Sequence, residues 1–355
     1  MRTIHVQHSQ AMHLSSFTHR RSPLFRAAWL FCVLGVVLET WAAGSILDLR
    51  VTVVAGERYY SLKDLASVYS LTFRVPPGRS VYLHGKWNQM DFEVDSRMST
   101  INGTAVWLHK PVIRNRGKWL ISEADARKSV DPLIRPSEHL SRKGTAVVVL
   151  DPGHGGHDKG AVGRRSVEEK RVVQDIARRV RGHLANAGLK VYLTRDTDRF
   201  IPLTDRTAKA SQWGADVFVS IHLNSAVSRT AKGVETYVIA APGCSATAAQ
   251  TVSRGDQIAY AGNLHDEANV VLGYFLQKAL VQKTNADDRG LRRARFMVLR
   301  NAPCPAALVE CGFVSNAAEE TLILKPEYRE KLALALTQGI LDYVKAVRQA
   351  KVSRR

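Results

Sequence analysis

From residue 147 onward, short apolar runs alternate with longer amphipathic stretches. Residues 147–150 (Val-Val-Val-Leu) run into Asp151-Pro152-Gly153-His154-Gly155-Gly156, residues 217–221 stop at His222, and residues 306–309 stop at Glu310. Runs of this length read as buried strands. Between them, 174–187, 203–213, 269–284 and 326–347 carry helical periodicity, and 189–194, 234–239 and 296–299 read as further strands. Alternating strands and helices predict an α/β domain, a mostly parallel or mixed sheet flanked by helices. Ligands in such sheets bind outside the carboxyl ends of the strands. Two histidines and a carboxylate are therefore expected on one rim.

Residues 45–136 read differently. Short strands at 49–54, 71–75, 81–83, 90–94, 105–108 and 119–121 are punctuated by Pro76-Pro77-Gly78, Asn102-Gly103 and Arg116-Gly117, with one short helix at 61–70. This predicts a small β-rich module without a catalytic cluster, so cleavage of soluble fragments is expected to survive its removal. Pro132, Pro136, Ser137 and Ser141 mark a linker, placed at 137–145, and the α/β domain is expected over 146–348.

Composition narrows the setting. With 355 residues, 45% of them hydrophobic, the chain can bury a large core and is not disordered. Residues 1–44 carry Arg20, Arg21 and Arg26, an apolar stretch at 27–38 too short to span a bilayer, and small residues around Ala42, Ala43 and Gly44. That is the pattern of a secretory signal peptide, with Met1 or Met12 as the start. Export to the periplasm or cell wall follows, with no stable membrane span after cleavage. The net charge of +19 becomes +16 without this segment, which holds four arginines and one glutamate. A basic exported protein is attracted to cell-wall polyanions or lipid headgroups before nucleic acid, and a nucleic-acid partner is not expected. Cys244, Cys304 and Cys311 remain, an odd number without C-x-x-C spacing. An extended strand would hold Cys304 and Cys311 about 20 Å apart, so no bridge is expected there.

A catalytic zinc takes three protein ligands and keeps one open position, and imidazole with carboxylate is a suitable set. His154 and His222 supply the imidazoles. Glu168 and Glu169 both stand where a helix opens. Glu169 is in phase with Val173, Ile176, Val180 and Leu184, the buried stripe, whereas Glu168 leads to Arg179 and His183, which turn outward. Glu169 is thus the expected third ligand. Glu310 sits at the end of an apolar run, where an unpaired carboxylate is costly unless it serves the chemistry, and it is the expected general base and acid. His157 and Asp158 read as loop residues.

The chain resembles the zinc-dependent N-acetylmuramoyl-L-alanine amidases that lack a lysozyme-like fold. The likeness rests on Asp151-Pro152-Gly153-His154-Gly155-Gly156, Glu169-Lys170, Leu193-Thr194-Arg195-Asp196, residues 215–224, Gly233-Val234-Glu235, Arg289-Gly290 and residues 308–316. It implies one Zn2+ held by His154, Glu169 and His222, catalysis by Glu310, and hydrolysis of the peptidoglycan amide joining the lactyl group of muramic acid to L-alanine. A regulatory protein partner would be in keeping with it. Some relatives carry an inhibitory helix over the zinc near 241–269; here Gly243, Gly255 and Gly262 and the low apolar content argue against one. Residues 99–103, 108–112 and 119–122 resemble the amine-oxidase N-terminal-like modules found beside cell-wall enzymes, without implying copper. Two other readings remain open at this stage: a zinc peptidase or amidase acting on another exported amide, and a non-catalytic cell-wall-binding protein. A buried Glu310 disfavours the latter.

Overall fold

The computed structural model describes residues 44–350 apart from 142, 143, 145 and 146. The expected signal peptide therefore lies outside the described residues, except Gly44, as does part of the expected linker. The first nine strands are β1 (Thr52–Val54), β2 (Glu57–Ser61), β3 (Thr72–Arg74), β4 (Ser80–His84), β5 (Gln89–Glu93), β6 (Met98–Ile101), β7 (Thr104–Trp107), β8 (Ile113–Asn115) and β9 (Lys118–Ser122). Six more follow: β10 (Val147–Pro152), β11 (Lys190–Leu193), β12 (Val217–Asn224), β13 (Val234–Val238), β14 (Asp288–Arg293) and β15 (Ala306–Phe313). They form a four-stranded sheet, β1-β2-β9-β8, and an eleven-stranded mixed sheet, β11-β10-β12-β15-β13-β14-β7-β6-β5-β4-β3. Among the described residues, no helix is long and apolar enough to cross a membrane.

Alternation decides which face of the large sheet is covered. Along β4 and β5, Val81, Leu83, Met90 and Phe92 are buried while their neighbours are not, and the same core continues through Val106, Leu291, Val309 and Cys311. The Glu169–Asn186, Asp266–Thr284 and Pro326–Gln349 helices supply Val173, Leu276 and Leu336 to that core. Proline opens the last of these, where its missing N–H costs nothing. Asn285 closes the second in the left-handed conformation.

The sheet crosses the predicted module boundary. Strand β7 pairs in parallel with β14 through Val106 and Leu291, Trp107 donates its indole N–H to the Arg289 carbonyl at 2.9 Å, and Tyr274 donates to the Ile101 carbonyl at 3.1 Å. The stretch leading into the segment read as linker is also built in. Residues 126–134 are helical, with Ala126, Val130 and Leu133 spaced to bury one face, and Pro136–His139 adds a further turn. Residues 296–299, read as a strand, instead place Phe296 in extended backbone before a Met297–Arg300 helix. Four apolar residues are too few for periodicity to separate the two states, and here Val298 and Leu299 turn inward together. The 241–269 stretch forms two 3-10 turns, Arg254–Gln257 and Ala261–His265, ahead of the Asp266–Thr284 helix. Cys244, Cys304 and Cys311 are buried and free of disulfides.

A buried polar cluster joins the two halves. Asp125 accepts from the His109 and Lys110 backbone N–H groups at 2.7 and 3.0 Å, from Ser122 at 2.6 Å and from Ser129 at 3.0 Å, and lies 2.9 Å from His109 Nδ1. Arg293, fully buried, donates to Ser129 at 2.6 Å. Burial opposes ionisation of Asp125, yet the donors from His109 and Ser122 hold its carboxylate below the usual range. Burial, reinforced by Arg293, lowers the His109 imidazole, which stays neutral. Both folded-state values lie below the unfolded ones, so both groups stabilise the fold at neutral pH. His109 loses its contribution as pH falls below about 6.5, and Asp125 loses its own below about 4. Urea midpoints should therefore fall on acidification from about pH 7 to about pH 5, and less steeply in His109→Gln. An equal fall in that variant would assign the acid sensitivity elsewhere.

Candidate active site

Strand register brings the predicted residues together. His222 on β12 stands opposite Glu310 on β15, and Glu310 stands opposite Glu235 on β13, so all three project from one face. Neither His222 nor Glu310 ends its strand: β12 continues to Asn224 and β15 to Phe313, because Leu223, Cys311 and Phe313 still have core to fill. The register irregularity between His222 and Asn224 lies at this rim.

Glu169 opens its helix and is almost fully buried, whereas Glu168 sits at the N-cap beside Lys159 and Arg171. Glu169 Oε1 lies 2.9 Å from His222 Nδ1 and 3.2 Å from His154 Nε2, and accepts from the Leu223 N–H; Oε2 accepts from the Ala161 N–H at 2.8 Å. His154, Glu169 and His222 form a group that could hold a metal ion, with one ligand atom from each inside 4.8 Å of the others. Burial alone would depress His154, but the hydrogen bond and charge of Glu169, then Asp158, carry it up to about 9. Burial likewise opposes Glu169, which both histidines nevertheless hold well below the carboxylate range. His222 is raised by Glu169 against its own burial. A buried carboxylate between two imidazoles is a donor set suited to a divalent cation.

The loop between β10 and the helix is shaped for this. His154 has φ +60°, a conformation a non-glycine residue adopts only when its surroundings enforce it. A side chain at Gly153 would occupy the His222 ring, and one at Gly160, φ +67°, would meet Glu169 Oε2 and the His154 ring. Below them Arg206 donates to Asp151 at 2.8 Å and to the Pro152 and His154 carbonyls, and Arg195 donates to the Pro152, Gly153 and Lys170 carbonyls. Asp151 also accepts from Thr194 at 2.6 Å and Ser220 at 2.8 Å. Asp158, read from sequence as a loop residue, lies 2.8 Å from His154 Nδ1 and fixes the ring. Its i+4 spacing from His154 was the available signal.

Glu310 completes the site. Its Oε2 is buried with no hydrogen-bond partner. Burial, partly offset by His222 and reinforced by Glu169 and Glu235, pushes its carboxyl up to about 7. It lines a cleft of about 500 Å3 with His154 and His222, walled by Phe200, Leu203, Phe296 and Met297. A carboxyl group that neither bonds a neighbour nor pairs with a cation is free to exchange a proton with a molecule in the cleft.

The sequence model of the N-acetylmuramoyl-L-alanine amidase family matches residues 148–342. The N-acetylmuramoyl-L-alanine amidase AmiA of Escherichia coli is 36% identical over 221 residues, covering 56% of this chain and 76% of that protein. AmiC of Neisseria meningitidis is 33% identical over 284 residues, covering 74% and 64%. The solved catalytic domain of CwlV, an amidase from Bacillus (Paenibacillus) polymyxa, aligns at 32% identity over 57% of this chain and 99% of that chain, with a TM-score of 0.48. With the family match spanning the His154 loop, the Glu169 helix and the strands bearing His222 and Glu310, the chain belongs to the N-acetylmuramoyl-L-alanine amidase family.

Proposed function

We propose that this enzyme works as a zinc amidase in which His154, Glu169 and His222 hold one Zn2+ and Glu310 carries the proton. The reaction itself is hydrolysis of the peptidoglycan amide between N-acetylmuramic acid and L-alanine. The observation that supports the site assignment is the convergence of three ligand atoms within 4.8 Å beside a buried carboxyl oxygen that has no partner. Mixed imidazole and carboxylate ligation suits zinc.

Zinc held by these ligands would supply Lewis acidity, polarising the scissile carbonyl and acidifying water. Glu310 takes a proton from the attacking water and returns it to the departing nitrogen of L-alanine, and a carboxyl near 7 is matched to both transfers. Asp158 keeps the His154 ring oriented, while Arg195 and Arg206 keep its loop in place. Phe200, Leu203, Phe296 and Met297 limit water around the scissile bond. Because peptidoglycan lies outside the cytoplasmic membrane, we place the enzyme in the periplasm or on the cell wall.

Metal content tests the ligand set. Elemental analysis after zinc loading should find about one ion in the parent and Glu168→Gln, and little in His154→Ala, His222→Ala and Glu169→Gln. Asp158→Asn should weaken zinc affinity about 10- to 100-fold, because it removes only the partner that orients His154. Parental zinc content in both histidine variants would remove them from the ligand set, and loss in Glu168→Gln would transfer the carboxylate role to that neighbour.

A further inference from the structure

Beside Glu310, two arginines converge on a single carboxylate. Glu235 is almost fully buried and accepts from Arg289 Nε at 2.8 Å, Arg292 Nη1 at 2.9 Å, Asn224 Nδ2 at 2.7 Å and the Tyr237 hydroxyl at 2.8 Å. Among the described residues, no other carboxylate bonds either guanidinium. Asp288, the nearest acid in sequence, is occupied by Gln277, the Gly290 N–H and the Ala105 N–H. Neither arginine bonds Glu310, whose Oε2 has no partner, and Arg292 Nε is likewise buried without one.

The pair is also fixed in place. Arg289 lies over the Phe313 ring at 4.8 Å and Arg292 over the Trp107 ring at 4.9 Å. Register puts Tyr237 and Arg292 side by side on the face that carries Glu235, Glu310 and His222. Both guanidiniums are stacked on aromatic rings, share one carboxylate acceptor and stay partly open to solvent, which leaves donors for a further anion. Arginine held in this way is suited to forked recognition of a carboxylate.

We propose that Arg289 and Arg292 form a subsite that binds a carboxylate of the stem peptide, on the L-alanine side of the bond being cut. The nearest carboxylate there belongs to the second stem residue, a glutamate linked through its side chain, whose α-carboxyl is either free or amidated. Glu235 and Asn224 align the pair, and Trp107 supports Arg292 from across the β7–β14 junction. The subsite rests on the amidase activity and is independent of which ion occupies the metal site.

The test compares two soluble disaccharide tripeptides that differ only in a free α-carboxylate or a carboxamide on the second residue. The full-length parent should cleave the carboxylate form with a kcat/KM about 10- to 100-fold higher, the range expected of a charge-assisted hydrogen-bonded contact. Arg289→Gln and Arg292→Gln should each narrow that ratio to within a few-fold, and Arg289→Lys should keep part of it. The ratio is unaffected by loss of folded enzyme, and cleavage of the carboxamide by the parent upholds the amidase reading separately. Equal rates on the two substrates in the parent, or an equal fall on both in the variants, would overturn the subsite.

Discussion

Replacing Glu310 by glutamine should abolish turnover while leaving zinc binding near parental. The amide is nearly isosteric and fits the same position on β15 opposite His222, so the strand and the metal site are preserved. What is lost is the ability to accept a proton and return it, a contribution typically worth about 10²- to 10⁴-fold in rate. The site makes the loss hard to compensate. The neighbouring carboxylates are already engaged: Glu235 by four donors, Asp151 by Arg206, Thr194 and Ser220, and Glu169 by both histidines and two backbone N–H groups. Single-turnover rates on a soluble muropeptide, with zinc content measured on the same samples, separate chemistry from metal loss. A variant that keeps zinc and turns over at near-parental rates would move the proton carrier elsewhere.

The second large effect is expected from removing residues 45–136. Read from sequence, this segment is a module dispensable for cleavage of soluble fragments. Its packing predicts the opposite. Deletion would strip β14 of its β7 neighbour, orphan the Tyr274 hydroxyl and the Ala105-bound oxygen of Asp288, and leave the fully buried Arg293 without Ser129. Deletion would also expose the apolar surface of a core shared by Ile101, Val106, Val130, Leu276 and Leu291, and total stabilities of domains are only about 5–15 kcal/mol. The shortened chain is expected to be insoluble or to lose its cooperative thermal transition, followed by circular dichroism. A soluble product melting within a few degrees of the parent would show that the strands are an appendage after all.

The two halves of the site differed in how plainly the chain announced them. His222 and Glu310 interrupt valine- and leucine-rich runs, and β-branched strands of that kind have few other destinations than a sheet interior. Glu169 could be preferred over Glu168 because a single helical phase places Val173, Ile176 and Val180 beneath it. Strand β14 gave no such signal. Its sequence is rich in arginine because its neighbours are Glu235 on one face and Ser129 and Asp125 on the other, and that information lies far away in the chain. For the same reason the pairing of β7 with β14 was invisible: it depends on residues 185 apart meeting, as Val106 and Leu291 do. Asp158 was underrated because its i+4 spacing from His154 becomes informative only once the His154 backbone is known to adopt φ +60°.

The central claim is that a zinc-loaded site built from His154, Glu169, His222 and Glu310 cuts the bond between muramic acid and L-alanine. Mass spectrometry of purified peptidoglycan digested by the full-length protein tests it most directly, with zinc-loaded and chelator-stripped enzyme run side by side. The account predicts free stem peptides that begin with L-alanine, together with glycan carrying an intact lactyl carboxylate, from the zinc-loaded enzyme only. Equal release by the stripped enzyme, or fragments cut at any other bond, would contradict it.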